Sequence, residues 1–391
     1  MKLAARGLLV SLSVAVLSGC SAPAPSGSPA ASMPTIPATP ASSPTATPAP
    51  TPTRTPTPQH EELLLVTAFA EAHLVLADPE DGEVARIEVG RAPWGVAVAP
   101  DGTAYVATFD GVAVVDVEAR TRIGLMPYAS ELETAPMSGE YRPGGLGIAV
   151  APDGGRVYVG VTTRFPDPGV LEVIDTATQA TVGSVPVGIR QFDVVVSADG
   201  SEFYAINHDS FDVTLVDAAS LEVIRTVPAA PLGSELGLGS WNKPHYAALT
   251  PEGTLLMAYK GVTLLELDPR DGSATQRPLR SATHSQGVEL TPDGSRLLVV
   301  GDGPDDTSLA GPSLEIVDLA SGESTVVPLD GSHNDVAVSR DGTRAYVTGG
   351  SSREGAPYPD VVTVVDLEAG RVIGAHPVPG NPLIITSWPA R

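Results

Sequence analysis

A repeating pattern of short strands and tight turns constrains what this 391-residue chain can fold into. An apolar stretch, a two-residue turn and a second apolar stretch recur along the chain, as in Val96 to Val106. In such a turn the acidic side chain caps backbone donors and glycine accepts a positive φ, so the two strands fold back on each other. The turns are Asp101-Gly102, Asp153-Gly154, Asp199-Gly200, Glu252-Gly253, Asp293-Gly294 and Asp341-Gly342. The pattern therefore predicts six hairpins.

A second pattern, a strand that ends in aspartate before another short turn, occurs seven times. Its separations run from 38 to 59 residues, and its aspartates are Asp78, Asp116, Asp175, Asp217, Asp268, Asp318 and Asp366. The missing seventh hairpin is divided between the two ends of the repeat region: 381–387 reads as an orphan first strand and 62–69 as an orphan second strand. Repeats of about 40–50 residues with four strands are typical of propeller blades. We predict an all-β, seven-bladed β-propeller with four-stranded antiparallel blades, whose last blade is closed by N- and C-terminal strands.

The strands that follow these turns also carry a recognisable motif. Arg344-Ala345-Tyr346-Val347-Thr348 and Arg156-Val157-Tyr158-Val159-Gly160 each follow a turn and precede a Val-Ile-Asp type strand. They resemble the YVTN-repeat β-propeller family (YncE-like) over roughly residues 61–391. The resemblance implies a surface or periplasmic binding protein, although related seven-bladed propellers include lactonases and lyases.

The N-terminus has the features of an export signal. Lys2 and Arg6 precede an apolar stretch, and Leu17-Ser18-Gly19-Cys20 resembles the bacterial lipobox. Cys20 is the only cysteine, so no disulfide can form within one chain. We expect a lipoprotein signal peptide at 1–19, with lipid attachment at Cys20 anchoring the protein to the cell membrane or outer membrane. The alternative is an ordinary secretory signal with an incidental cysteine.

Residues 20–60 are rich in Pro, Thr, Ser and Ala, a composition that predicts a disordered linker between the anchor and a propeller at 61–391. The whole chain has a formal charge of −23 and no basic run. Such a charge repels polyanions, so we expect no nucleic-acid partner. The expected partners are the membrane, through the lipid, and an unidentified protein or small-molecule ligand of an extracytoplasmic monomer.

Function is expected on one face of the disc. In a four-stranded blade the turns between strands one and two and between strands three and four share a face, and here they are uniformly short. The longer insertions fall on the opposite face, where variable loops on a rigid scaffold usually bind ligands. They are 127–144, 162–168, 229–244, 301–312 and 349–360.

Four histidines also map to this loop-rich face: His208, His245, His284 and His333. Neutral imidazole is a common ligand of transition metals, so these residues are candidate ligands for copper or zinc. The alternative is a polar lining of the central channel. Their offsets from the next turn differ, which weakens the expectation that they point to one spot.

Other candidate groups on this face have plain structural alternatives. Asp302, Asp305 and Asp306 offer oxygen ligands for calcium, but their spacing matches no known calcium loop and a solvated acidic turn is the competing interpretation. Trp94, Phe192 and Trp241 offer stacking surface, or else ordinary packing between inner strands.

Three functions remain open from the sequence. The favoured one is a binding or scaffold protein that recognises a ligand or envelope partner, since no nucleophile elbow, phosphate loop or nucleotide fingerprint is present. The second is a lactonase- or lyase-type enzyme with His245, His284 or His333 as acid or base and Arg142 or Arg190 holding a carboxylate. The third is metal handling by the histidines.

Overall fold

A computed structural model describes residues 62–134, 139–237, 239–260, 263–281, 283, 286–302, 311–350 and 359–388. All of them belong to one unit, Thr57–Arg391. They form 28 strands and one short 3₁₀ helix, Gly139–Tyr141. Within this part of the chain no helix is long and apolar enough to cross a membrane.

The strands alternate with turns and loops along the whole described chain. The first fifteen are β1 Leu63–Ala68, β2 His73–Asp78, β3 Gly82–Glu88, β4 Val96–Val98, β5 Thr103–Ala107, β6 Val112–Asp116, β7 Thr121–Met126, β8 Gly144–Val150, β9 Arg156–Thr162, β10 Val170–Asp175, β11 Ala180–Pro186, β12 Gln191–Val196, β13 Glu202–Asn207, β14 Asp212–Asp217 and β15 Val223–Pro228. The others are β16 Ala248–Leu249, β17 Leu255–Tyr259, β18 Thr263–Leu267, β19 Ala274–Pro278, β20 Val288–Leu290, β21 Arg296–Asp302, β22 Pro312–Asp318, β23 Ser324–Pro328, β24 Asp335–Val338, β25 Arg344–Thr348, β26 Val361–Asp366, β27 Arg371–Pro377 and β28 Pro382–Trp388.

These strands form seven four-stranded antiparallel sheets arranged in a ring, which confirms the predicted seven-bladed propeller. Blades 1 to 6 use consecutive strands, from β4–β7 in blade 1 to β24–β27 in blade 6. Blade 7 has the order β28-β1-β2-β3, so its inner strand comes from the far end of the domain. The pairing runs from Leu63 opposite Trp388 to Ala68 opposite Pro382. The predicted closure by the two orphan strands is therefore confirmed.

The blades pack face to face through apolar side chains. Alternation along each strand places its apolar residues on both faces of the blade, and each of the seven interfaces between neighbouring blades holds its own buried cluster. Burying one Val or Leu side chain contributes roughly 1.5–3 kcal/mol, so the ring is stabilised around its whole circumference. A hydrogen bond also links the inner strands of two neighbouring blades. Asp193 Oδ2 in blade 3 accepts it from Ala247 N, just before the inner strand of blade 4, at 3.1 Å.

The two faces of the disc differ in their connections. The aspartates at or just after the ends of the third strands cap tight turns; Asp318 Oδ1, for example, accepts from Ser321 N at 2.7 Å. At Gly342, the last glycine of the Asp-Gly turns, φ is +70°, which favours glycine. We call the face that carries these two sets of turns the short-turn face. The opposite face, where the insertions begin and end, is the loop-rich face.

Candidate ligand-binding site at the channel mouth

Five charged or polar side chains meet at the loop-rich face between blades 3 and 4. We call them the channel-mouth cluster: Arg190, His208, Asp209, Lys243 and His245. Their position follows from the antiparallel order of the strands, since inner strands start and second strands end on this face. Arg190 directly precedes β12, His208 and Asp209 directly follow β13, and Lys243 and His245 lie just before β16. Three separate chain segments therefore contribute to one spot.

Asp209 is the centre of the cluster. Its Oδ2 accepts from Arg190 Nε at 2.6 Å and its Oδ1 accepts from Lys243 Nζ at 2.7 Å. The Asp209 and Arg190 side chains are fully buried, and the Lys243 side chain is only 6% exposed. Burial alone would raise the pKa of Asp209, but the charge of Arg190 and the hydrogen bond from Lys243 hold that pKa below the usual value. The carboxylate is therefore ionised and shared by two cations.

The two histidines continue the network through their ring nitrogens. Burial, reinforced by repulsion from Arg190 and Lys243, lowers the pKa of His208 to about 3 against the pull of Asp209. His245 Nδ1 lies 3.1 Å from Lys243 O, so it carries the proton and donates it to that carbonyl. His245 Nε2 then accepts from His208 Nε2 at 2.9 Å, and His208 Nδ1 accepts from Arg190 Nη2 at 2.6 Å. One directed chain of hydrogen bonds satisfies both rings.

Aromatic side chains pack over the Arg190 side of the cluster. The Arg190 guanidinium carbon lies 3.8 Å from the centre of the Tyr141 ring, and Phe165 packs edge-on against Tyr141 at 5.5 Å. Tyr141 is still 46% exposed and Trp241, two residues before Lys243, is 56% exposed. The loop-rich face thus presents two large ring surfaces, and that of Tyr141 lies directly on the buried charged network.

The predicted stacking residues Trp94 and Phe192 do not form part of that exposed surface. Both are almost fully buried, and their rings meet edge-on at 5.7 Å although they come from blades 1 and 3. They therefore act as packing residues at the centre of the ring, the alternative given above, and of the three aromatic candidates Trp241 alone is exposed.

The other predicted metal ligands do not join the pair His208 and His245. His333, before the inner strand of blade 6, bonds Thr363 Oγ1 at 2.8 Å and Gly331 O at 2.7 Å. His284 lies outside the described residues. Among the residues that are described, no group of three or more His, Cys, Asp or Glu could hold a metal ion. Metal binding by these histidines stays a prediction.

The acidic loop considered for calcium is described only at its start. Asp302 is the last residue of β21 and pairs with Pro312, while Asp305 and Asp306 lie outside the described residues. The calcium interpretation therefore stays a prediction.

Arg142 is a second fully buried cation close to the cluster. It donates to three backbone carbonyls, Pro143 O at 3.0 Å, Ala92 O at 2.8 Å and Gly145 O at 2.8 Å, and its Nε has no partner among the described residues. Burial lowers the pKa of Arg142 to about 10. Arg142 ties the entry of blade 2 to blade 1 and bonds no carboxylate among the described residues, whereas Arg190 already holds that of Asp209.

Acidic side chains on three inner strands were not anticipated from the sequence. Asp193, Asp335 and Glu289 come from blades 3, 6 and 5, and burial raises their pKa values to about 6, about 7 and about 8. Repulsion from Asp335 and Asp193 adds to the pKa shift of Glu289. The Glu289 side chain is solvent-accessible although protein atoms surround it, as is expected of a group facing an enclosed channel. In the sequence, these three acids could be recognised only as charged residues within predicted inner strands.

The short-turn face also has a cleft, between blades 5 and 6. Its basic group, Arg296, donates to Leu367 O at 3.1 Å and to Gly342 O at 3.0 Å. Asp293, also in the wall, accepts from Thr291 and Ser295. These groups are committed to turns, so the cleft offers less for recognition than the channel mouth does.

Comparison with known proteins identifies the fold. No family model matches the sequence, and no curated protein matches it. Among solved structures the protein is similar to the hydrazine synthase of Kuenenia stuttgartiensis, with 18% identity and a TM-score of 0.59 over 75% of this chain and 89% of that chain. At this identity the likeness supports the propeller fold alone.

Proposed function

We propose that the protein is an extracytoplasmic, lipid-anchored binding protein that recognises a small ligand or an envelope partner through the loop-rich face. The lipobox-like sequence that ends in Cys20 supports the anchor, and the YVTN-like repeats support a propeller of the binding type. The channel-mouth cluster is the observation that carries the proposal. Burying an ionised group costs several kcal/mol, so three buried charges at one end of the disc indicate a preorganised site.

The direction from which the chain enters the propeller agrees with this role. Glu62, the first described residue, accepts a hydrogen bond from Arg340 N at 2.9 Å and one from Tyr346 Oη at 2.9 Å. Arg340 belongs to the turn of blade 6 on the short-turn face. The described chain therefore begins on the short-turn face, at the opposite end of the domain from the loop-rich face.

Site-specific crosslinking tests which face binds. A photoreactive side chain would replace Trp241 on the loop-rich face and, as the matched control, Glu368 on the short-turn face, in cells that express the full chain. We expect crosslinked products from position 241 and few from 368. Equal or stronger crosslinking from 368 would refute the proposal.

Membrane fractionation of Cys20→Ala tests the anchor, because the variant should leave the membrane fraction.

A metal site at His208 and His245 is the second candidate. The two Nε2 atoms lie 2.9 Å apart, while the Nδ1 atoms lie 3.0 Å from Asp209 Oδ2 and 3.1 Å from Lys243 O. Metal-bound histidines commonly donate the second N–H to such oxygens. The charges of Arg190 and Lys243 oppose a divalent cation at this point.

Elemental mass spectrometry of the full chain after incubation with copper and zinc tests this candidate. If the metal site forms, His208→Ala loses the metal and His333→Ala, the control, keeps it. The variant His284→Ala reports on the histidine outside the described residues. Absence of metal from the unaltered protein would exclude the metal-handling function.

A further inference from the structure

The channel-mouth cluster has an imbalance of buried charge. Arg190 and Lys243 are buried cations and Asp209 is a buried carboxylate bonded to both. The hydrogen bonds of His208 and His245 leave each ring one proton, so these five groups carry a formal charge of +1. Outside these buried groups, Glu140 forms a longer ion pair with Arg190, at 3.8 Å, from a partly exposed position at the rim. An unbalanced charge in a dry site is costly, whereas an anion that enters it is bound strongly.

Among the described residues, Lys243 is the member of the cluster whose side-chain donors are not all used. An ammonium has three donors, and Lys243 Nζ gives one of them to Asp209 Oδ1. Arg190, in contrast, donates to Asp209, to His208 and to the backbone oxygen of Glu140. Lys243 is therefore the group in the cluster that keeps both charge and donors for an incoming oxygen atom.

The surroundings of Lys243 indicate what the rest of a ligand is like. Lys260 Nζ lies 4.8 Å from the centre of the ring of Trp241, which precedes Lys243 by two residues in the chain. Trp241 and Tyr141 present exposed ring surface on the same face. A flat or apolar body would pack there while its charged end reaches the ammonium.

We propose that Lys243 binds the carboxylate of a small organic monocarboxylate whose apolar body packs on the exposed aromatic rings at the mouth of the channel. The excess of one positive charge matches one carboxylate, whereas a phosphate dianion would leave an uncompensated negative charge. This inference rests on the proposed binding function and names the ligand class for it. Lys243 is a binding residue in this role, and Glu140 is the rim carboxylate that competes with the ligand.

Calorimetric titration of the full chain in detergent tests the inference with phenylacetate as the probe. Phenylacetamide has the same shape without the charge, and inorganic phosphate has the charge without the ring. We expect phenylacetate to bind and the other two to bind at least tenfold more weakly, since a hydrogen bond to a charged group contributes roughly 1.5–3 kcal/mol. Equal binding of the acid and the amide, or no binding of the acid, would overturn the inference.

Three variants locate the binding group. Lys243→Met should weaken phenylacetate binding about 10- to 100-fold, and Lys243→Arg should restore part of it. Arg270→Met, which removes an exposed cation on the short-turn face, is the control and should change the affinity less than about threefold. Glu140→Gln should strengthen binding, and it tests the site even if Lys243→Met fails to fold. Unchanged affinity in both Lys243→Met and Glu140→Gln would place the carboxylate elsewhere. Crosslinking at the loop-rich face without carboxylate binding would refute this inference alone and leave the binding function standing.

Discussion

At the scale of single residues, the contribution of an ion pair to stability depends on whether its charges are buried. Asp209 has no exposed side-chain surface and holds two cations, while Arg164 and Asp167 form an ion pair at 2.9 Å on the surface. Exposed pairs contribute little because water and salt screen them, whereas a buried cation that loses its carboxylate has nothing to replace it. The same chemistry therefore has very different consequences at the two positions.

The first prediction concerns Asp209→Asn. The amide keeps the shape of the carboxylate but leaves Arg190 and Lys243 buried together without a counter-charge. We expect the free energy of unfolding to fall by about 3–5 kcal/mol, as measured by urea denaturation. Asp167→Asn is the matched control and should leave the unfolding midpoint unchanged. A midpoint for Asp209→Asn equal to that of the control would show that the cluster does not stabilise the fold.

At the scale of strands and turns, the sequence predicted nearly all of the architecture because the relevant forces are local. Turn residues and alternating apolar residues identify each hairpin within about a dozen positions. The channel-mouth cluster was not predictable in this way. Arg190 and Asp209, 19 residues apart, meet through the pairing of β12 with β13, but Lys243 lies 34 residues further on and reaches them only through the packing of blade 3 against blade 4. His208 and His245 were identified by residue type, and their contact emerged from the same packing.

Closure of the ring is the element-level feature with the clearest test. β28 covers the edge of β1, whose sequence Leu-Leu-Leu-Val-Thr-Ala is fully buried. A chain that ends at Gly380 lacks β28 and exposes an apolar edge strand, which is a template for aggregation. We expect this truncation to aggregate in size-exclusion chromatography, while a chain that ends at Trp388 stays at the size of the full chain. A monomeric, cooperatively folded truncation would contradict the closure.

At the scale of the whole molecule, pH acts on the ring through its channel. The pKa values of Asp335 and Glu289, about 7 and about 8, lie above those of the same groups in an unfolded chain, about 4. The folded state therefore holds these protons more tightly than the unfolded state. Their contribution to stability is fully present below about pH 4 and is lost as the pH rises through the folded pKa values.

Other groups limit the window in which this effect is visible. His208, whose pKa burial lowers to about 3, destabilises the fold as the pH falls below about 6.5, and turn aspartates such as Asp293, with a pKa of about 2, do so below about pH 4. Between about pH 6.5 and pH 9 the channel acids dominate. Because water reaches Glu289 and Asp335 is buried, we expect the larger effect from Asp335.

We predict that the urea midpoint of the full chain falls between pH 6.5 and pH 9 and that Asp335→Asn makes this fall smaller. The amide still accepts the hydrogen bond from Ile385 N, which Asp335 Oδ2 receives at 3.0 Å, so the link between blades 6 and 7 is kept while the titration is removed. Asp330→Asn, which changes an exposed carboxylate in the loop before the same inner strand, is the control and should keep the full pH dependence. Two outcomes would contradict this prediction: a urea midpoint that stays constant over this pH range in the unaltered protein, or a pH dependence of the midpoint that Asp335→Asn leaves unchanged. Either would mean that water in the channel screens these carboxylates and holds their pKa values near those of the unfolded chain.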